Sequence, residues 1–126
     1  MASPKKAATR HRGLDHEARA ASFLREQGLE ILAQNVDFEF AELDIVARDR
    51  EQDGSEVRVF VEVRSRRHAR RGAPEETIGA SKQARVRKAA TAYLVREGLW
   101  EKIAVRFDVV AIVEEPPELR WLRNAF

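Results

Sequence analysis

Apolar positions along the chain fall into two periods. Between Asp15 and Gly28 they recur every three to four residues, which predicts a helix capped by Asp15 and stopped by Gly28. Leu29 to Val36 reads as a first strand and Glu42 to Arg48 as a second. Asp53-Gly54 marks a polar turn. In the third strand, Glu56 to Arg64, Val57, Val59, Val61 and Val63 alternate strictly on one face. Ser65 to Pro74 is expected to be an arginine-rich loop. Ser81 can cap a second long helix ending at Gly98. Val105 to Val113 is the fourth and most apolar strand; Pro116-Pro117 breaks it, and Leu119 to Phe126 forms an apolar tail. Residues 1–12 carry charge without periodicity and read as a disordered basic N-terminus, leaving 13–126 as a single domain. The order αβββαβ implies an α/β fold: a mixed sheet of four to five strands flanked by helices.

Composition narrows the class. A chain of 126 residues has the length of one domain and can bury a substantial core. It has no cysteine, which excludes disulfides and cysteine-zinc sites and fits a reducing compartment. No apolar run approaches the roughly 20 residues of a membrane helix, and the polar start lacks a secretory h-region. The expectation is a cytoplasmic protein with no membrane partner.

Charge is close to balanced overall, at +2, but it is blocked along the chain. Residues 26–62 hold eleven acids against three arginines, whereas 63–88 hold nine Lys/Arg against two acids. Such blocks suit a polyanionic partner, and they equally describe a solvated, arginine-rich surface.

The chemistry lies in acids placed where strands should be apolar. Asp44 stands between Leu43 and Ile45, and Glu62 shares a face with Phe60 and Arg64. If strands two and three are antiparallel neighbours, the two carboxylates sit side by side. They then repel unless a cation lies between them, and Mg²⁺ takes one or two carboxylates plus water and phosphate oxygens. An ordinary ion pair of Glu62 with Arg64 or Arg66 is the other reading. Glu17 lies on the inward stripe Ala21–Leu24–Gly28 near its helix start. Lys82 opens the inward stripe Val86–Ala89–Tyr93 in the first turn of the second helix, where a cation opposes the macrodipole. A carboxylate cluster or a phosphate would answer it, and so would snorkelling to solvent. The histidines His11, His16 and His68 lack a zinc spacing and read as solvated; Trp100, Trp121, Tyr93 and Phe107 read as core or interface.

Taken together these segments resemble the YraN family of small bacterial proteins, distantly similar to archaeal Holliday-junction resolvases of the PD-(D/E)xK nuclease superfamily. The resemblance spans about Gly13 to Phe126. It is carried by His16-Glu17-Ala18, Glu42-Leu43-Asp44-Ile45-Val46-Ala47, Phe60-Val61-Glu62-Val63-Arg64, Lys82 with Ala89-Ala90 and Tyr93-Leu94, Arg106-Phe107-Asp108-Val109-Val110, and Asn124-Ala125-Phe126. It implies a restriction-endonuclease-like fold, with Asp44 and Glu62 as metal-binding acids, Glu17 as the first-helix acid, and Arg64 in the place of the superfamily lysine. Glu42 sits beside these without an assigned role. Glycines usual in the family near His16 and Ala41 are absent here, and arginine, unlike lysine, stays protonated and cannot act as a base.

The expected function is a Mg²⁺- or Mn²⁺-dependent endonuclease that hydrolyses phosphodiester bonds in structured, branched or junction-like DNA. Its catalytic set is Glu17, Asp44, Glu62, Arg64 and Lys82; its metal set is Asp44, Glu62 and Glu17. Arg66, Arg67, Arg70, Arg71 and Arg85 are expected to bind nucleic acid backbone. The alternative is a catalytically inactive nucleic-acid-binding module of the same fold. The apolar tail suits either a homodimer contact or a cover for one edge of its own sheet.

Overall fold

A computed structural model of the chain describes residues 4–68 and 78–126. The elements are α1 (Pro4–Glu26), β1 (Glu30–Phe38), β2 (Ala41–Arg50), β3 (Glu56–His68), α2 (Ala80–Arg96), β4 (Ala104–Glu115) and β5 (Glu118–Leu122). They build one five-stranded sheet in the order β1-β2-β3-β4-β5. β1, β2 and β3 form an antiparallel meander, β4 runs parallel to β3, and β5 returns antiparallel to β4. The parallel step is the one that needs a crossover, and α2 supplies it. This is an α/β fold with a mixed sheet, consistent with a restriction-endonuclease-like core.

Each helix covers one face of the sheet. Ala20, Ala21 and Leu24 of α1 pack with Ile45, Ala47, Val57, Val59, Val61, Val110 and Ile112. Val86, Ala89, Ala90, Tyr93 and Leu94 of α2 pack with Leu43, Val46, Phe60 and Phe107. The valine row of β3 therefore faces α1, and the Phe60–Glu62–Arg64 row belongs to the α2 side. Both helices end as expected: Gly28 and Gly98 take left-handed backbones (φ 97° and 72°), and the Leu29 and Leu99 amides bond back to the Leu24 and Leu94 carbonyls at 3.0 and 2.7 Å. Asp53 closes the β2–β3 turn by accepting from the Ser55 amide at 2.9 Å.

Three expectations need correction, and one alternative is settled. Helix α1 begins at Pro4, so residues 4–12 are helical and Asp15 lies inside the helix. The reason is local: a proline in the first turn, then Lys-Lys-Ala-Ala, residues that form helices well. Ser81 does not cap α2; Gly79 is the cap residue, with no side-chain bond, and the Ser81 hydroxyl instead accepts from Arg85 at 3.2 Å. Strand β3 runs on to His68, so Arg66 and Arg67 are strand residues, because β4 continues alongside and pairs Arg66 with Val113 and His68 with Glu115. Arg70 and Arg71 lie outside the described residues. Finally, the C-terminal tail contains a fifth strand: Leu119 and Trp121 pack toward the α1 side, and Phe126 lies 5.1 Å from Phe107 on the α2 side. Its role as an edge cover is thereby met.

Candidate functional site

The β2–β3 register runs from Arg50/Glu56 to Ile45/Val61, which brings Asp44 next to Glu62 one step further on. Beyond Ile45 the Asp44 side chain takes over a backbone role: its Oδ2 accepts from the Val63 amide at 2.9 Å. The alternation of β2 breaks here. Val46 and Leu43 both join the α2-side core, while Ile45 and Ala47 join the α1-side core. A regular strand would put Leu43 with Ile45. On β1 the same break appears between Ala33 and Val36, both on the α2 side, and between them Asn35 holds a left-handed φ of 52°. This local distortion lets one carboxylate, Asp44, meet groups brought by both helices.

From the α1 side comes Glu17. Glu17, Glu42 and Asp44 place carboxylate oxygens within 4.8 Å of one another. Glu62 adjoins Asp44 from β3 and is 4 % exposed. From α2, Lys82 reaches to 4.0 Å between its Nζ and Glu62 Oε2 while its side chain stays 51 % exposed. The inward and the snorkelling readings of Lys82 are thus both partly right: the stripe it opens is buried at Val86, Ala89 and Tyr93, and its head sits at a wet rim facing an acid. A pocket of about 450 Å³ joins these groups, lined among others by Glu17, Asp44, Glu62, Arg64 and Lys82. All five expected catalytic side chains therefore meet in one cavity.

The electrostatics are those of acids crowded without enough cations. Burial first, then a hydrogen bond and charge repulsion from Asp44, pushes the Glu62 carboxyl up to about 9, against the opposing pull of Lys82 and Arg64. Glu17 rises to about 7 through burial and the neighbouring Asp44 and Glu42, held down in part by a hydrogen bond from Asn35. Glu62 Oε1 and Glu17 Oε2 are buried and have no hydrogen-bond partner. Buried carboxyl oxygens are ordinarily bonded, and these two, in one pocket, are not.

Two residues of the site were underrated by sequence. Glu42 completes the close trio of acids. His16, expected to be solvated, is mostly shielded (13 % exposed), lines the pocket, and sits 3.0 Å from Glu114 Oε1 on β4. His68 is exposed as expected, beside Glu115. Of the expected DNA contacts, Arg66 and Arg67 continue the β3 strand past Arg64, and Arg85 is exposed on α2 one turn beyond Ser81.

A family model described as "Uncharacterised protein family UPF0102" matches residues 16–112, which contain every acid of the site. The chain belongs to the UPF0102 (YraN) family. A UPF0102 protein of Chromohalobacter salexigens is 44% identical over 120 residues, covering 94% of this chain and 92% of its own. One from Vibrio cholerae is 40% identical over 118 residues, with 93% of each chain covered. One from Pseudomonas aeruginosa is 42% identical over 122 residues, with 94% of each covered. The family model thus takes in β1, β2, β3, α2, the second half of α1 and most of β4. Among the described residues, no helix is long and apolar enough to cross a membrane.

Proposed function

We propose that this UPF0102 chain is a Mg²⁺- or Mn²⁺-dependent phosphodiesterase acting on structured DNA. One observation carries the reading. Glu62, almost fully buried, adjoins Asp44 and aims an oxygen with no partner into a pocket that also holds Glu17 and Lys82. Burying a carboxylate oxygen without a hydrogen-bond partner is costly. An all-oxygen donor set suits a hard divalent cation, so the residues fit the group. Asp44, Glu62 and Glu17 would hold it, with Glu42 within reach.

When bound, such an ion supplies polarisation of a phosphate oxygen and a lowered pKa for an attacking water. The chain's own residues do the rest. Lys82 and Arg64 line the same pocket and offer positive charge where a phosphate in transition gains negative charge. An arginine here contributes charge and direction but no base. Lys82, at the exposed rim, can also position a water. Arg66, Arg67 and Arg85 would bind backbone phosphates beside the pocket, giving affinity without sequence readout.

The test is cleavage of four-way junction, flap and plasmid DNA with Mg²⁺ or Mn²⁺, together with Mn²⁺ titration. Wild type should cleave, and Asp44→Asn and Glu62→Gln should each lose both cleavage and tight Mn²⁺ binding. Wild-type Mn²⁺ affinity in both variants sinks the metal reading. DNA binding with no cleavage by wild type or Arg64→Lys would favour the second reading, an inactive DNA-binding module, for which arginine at position 64 is the supporting observation.

A further inference from the structure

We infer, resting on the DNA reading above, that the exposed flank of α2 carrying Arg85, Lys88 and Arg96 is the track for the backbone of a duplex arm that leads out of the acidic pocket.

Helix α2 holds five cations and no acid in its 17 residues. A charged helix is ordinarily supported by acids three or four residues from its lysines and arginines, and like charges at such spacing are mildly destabilising. Lys82, Arg85 and Lys88 follow one another at three-residue intervals, so the arrangement gives the helix nothing by itself. With about 3.6 residues per turn, these three and Arg96 fall within about a third of the helix circumference. The row starts at Lys82, which lines the pocket. From there it runs about 21 Å along the axis to Arg96, the rise of about six base pairs.

Arg85, Lys88 and Arg96 are exposed, and among the described residues none of them forms an ion pair with an acid. What holds them is neutral. Lys88 Nζ lies 4.5 Å from the centre of the Phe40 ring, and Arg96 Cζ lies 5.4 Å from that of Phe38. The two rings, at the end of β1 and in the turn to β2, stack on each other at 6.0 Å. Arg85 donates to the Ser81 hydroxyl at 3.2 Å. Asp37 and Glu39 are exposed on the same hairpin, yet among the described residues neither pairs with a cation of α2. A ring or a hydroxyl orients a cation and leaves its charge for another partner. Oriented cations in a row, beginning at a pocket that would take a phosphodiester, complement a polyanion of regular spacing. Long cationic side chains on a convex helix flank meet phosphates, which give affinity without sequence readout.

The test is fluorescence anisotropy with a four-way junction and a plain duplex, in Ca²⁺ and in EDTA, over a range of salt, with thermal melting in parallel. Lys88→Gln with Arg96→Gln should weaken binding to both DNAs. The slope of log affinity against log salt should flatten by about two units, one per lost phosphate contact. Either substitution alone should flatten it by about one unit. Melting should stay close to wild type, as for other exposed positions. Lys88→Arg with Arg96→Lys, which keeps the charge, should keep the wild-type slope. An unchanged slope in the double glutamine variant, with wild type binding DNA, overturns the track and leaves the DNA reading standing. A wild type that binds neither DNA in either buffer overturns the DNA reading and this inference with it. Polyglutamate that displaces the DNA at equal charge concentration would assign the flank to an acidic protein partner and overturn the inference.

Discussion

The protein buries acids in two places one register step apart, and treats them in opposite ways. Val61 pairs with Asp108 across β3 and β4, and the next pair is Glu62 with Val109. Asp108 has no exposed surface and four donors. Arg106 grips it in a fork at 2.9 and 3.0 Å, the Trp121 indole donates at 3.0 Å, and the Asn124 amide donates at 2.9 Å. Arg106 in turn reaches Asp49 at 2.9 Å, and Arg123 reaches the same carboxylate at 3.3 Å. That network ties β5 and the C-terminus to the sheet. Glu62, nearly as buried, keeps one oxygen without a partner and meets its lysine only at 4.0 Å. Burial alone does not mark a functional acid. What separates the two is whether the fold itself answers the charge.

The comparison breaks most visibly at Asp108. Asp108→Ala strands a forked arginine and two other donors in the interior, and losing one partner of a buried pair costs about 3–5 kcal/mol. Thermal melting should therefore fall by more than about 10 °C. A drop of only a degree or two would mean that the network is ornamental and that the contrast fails.

Next in size is the charge opposite Glu62. Lys82→Ala should lower cleavage by roughly 10²–10³, the effect of losing one preorganised transition-state donor, and leave melting nearly unchanged because the Lys82 head is half exposed. Lys82→Arg should recover part of the rate if the role is electrostatic. Arg64→Lys should preserve or raise cleavage, and Arg64→Ala should lower it with metal binding largely intact. A Lys82→Ala variant as fast as wild type removes Lys82 from the chemistry.

The two acids should also part company with pH. The Glu62 carboxyl is raised from 4.5 to about 9, so between those values the folded chain holds a proton that the unfolded chain has released. Stability conferred by that proton is present at low pH and is lost as pH rises toward 9. Glu62→Gln, which has no such proton to lose, should match wild type near pH 4.5 and exceed it increasingly toward pH 9 in metal-free buffer. A gain of at least about 4 °C in Tm at the alkaline end is expected. Added Mn²⁺ should narrow the gap by stabilising wild type. A constant offset across pH would show that Glu62 is already ionised and paired.

Much of this was legible in the chain because local signals and the fold agree. Valines at every second position set the third strand and its face, and glycines set both helix ends. The pairing of Asp44 with Glu62 followed from adjacency of two strands, and the inward stripes placed Glu17 and Lys82. What stayed hidden depends on distortion or on distance. Nothing in the residues around Leu43 announces that its strand loses its alternation. His16 is shielded by Glu114, 98 residues away in sequence. Asp108, noted only as part of a resemblance, looked like any acid in an apolar strand until Trp121 and Asn124 closed on it. Pro4 and the lysines and alanines after it made a helix where charge density suggested disorder.

The smallest effect probes the approach to the site. Arg66 and Arg67 extend β3 beyond Arg64, and the strand holds them at fixed spacing while β4 pairs alongside. Arg67 has a loose contact with Glu115 at 4.0 Å, in an exposed setting where an ion pair adds little. A phosphate could displace it at small cost. If both arginines touch DNA backbone, Arg66→Ala with Arg67→Ala should weaken binding to every sequence alike. Each lost phosphate contact should flatten the slope of log affinity against log salt by about one unit. Melting should barely move for Arg67, whereas Arg66, half-buried with its Nε lacking a partner, should show a modest change of its own. A salt slope equal to that of wild type would place the DNA elsewhere, and the basic stretch past Glu62 would then be a solvated strand end with no part in holding substrate.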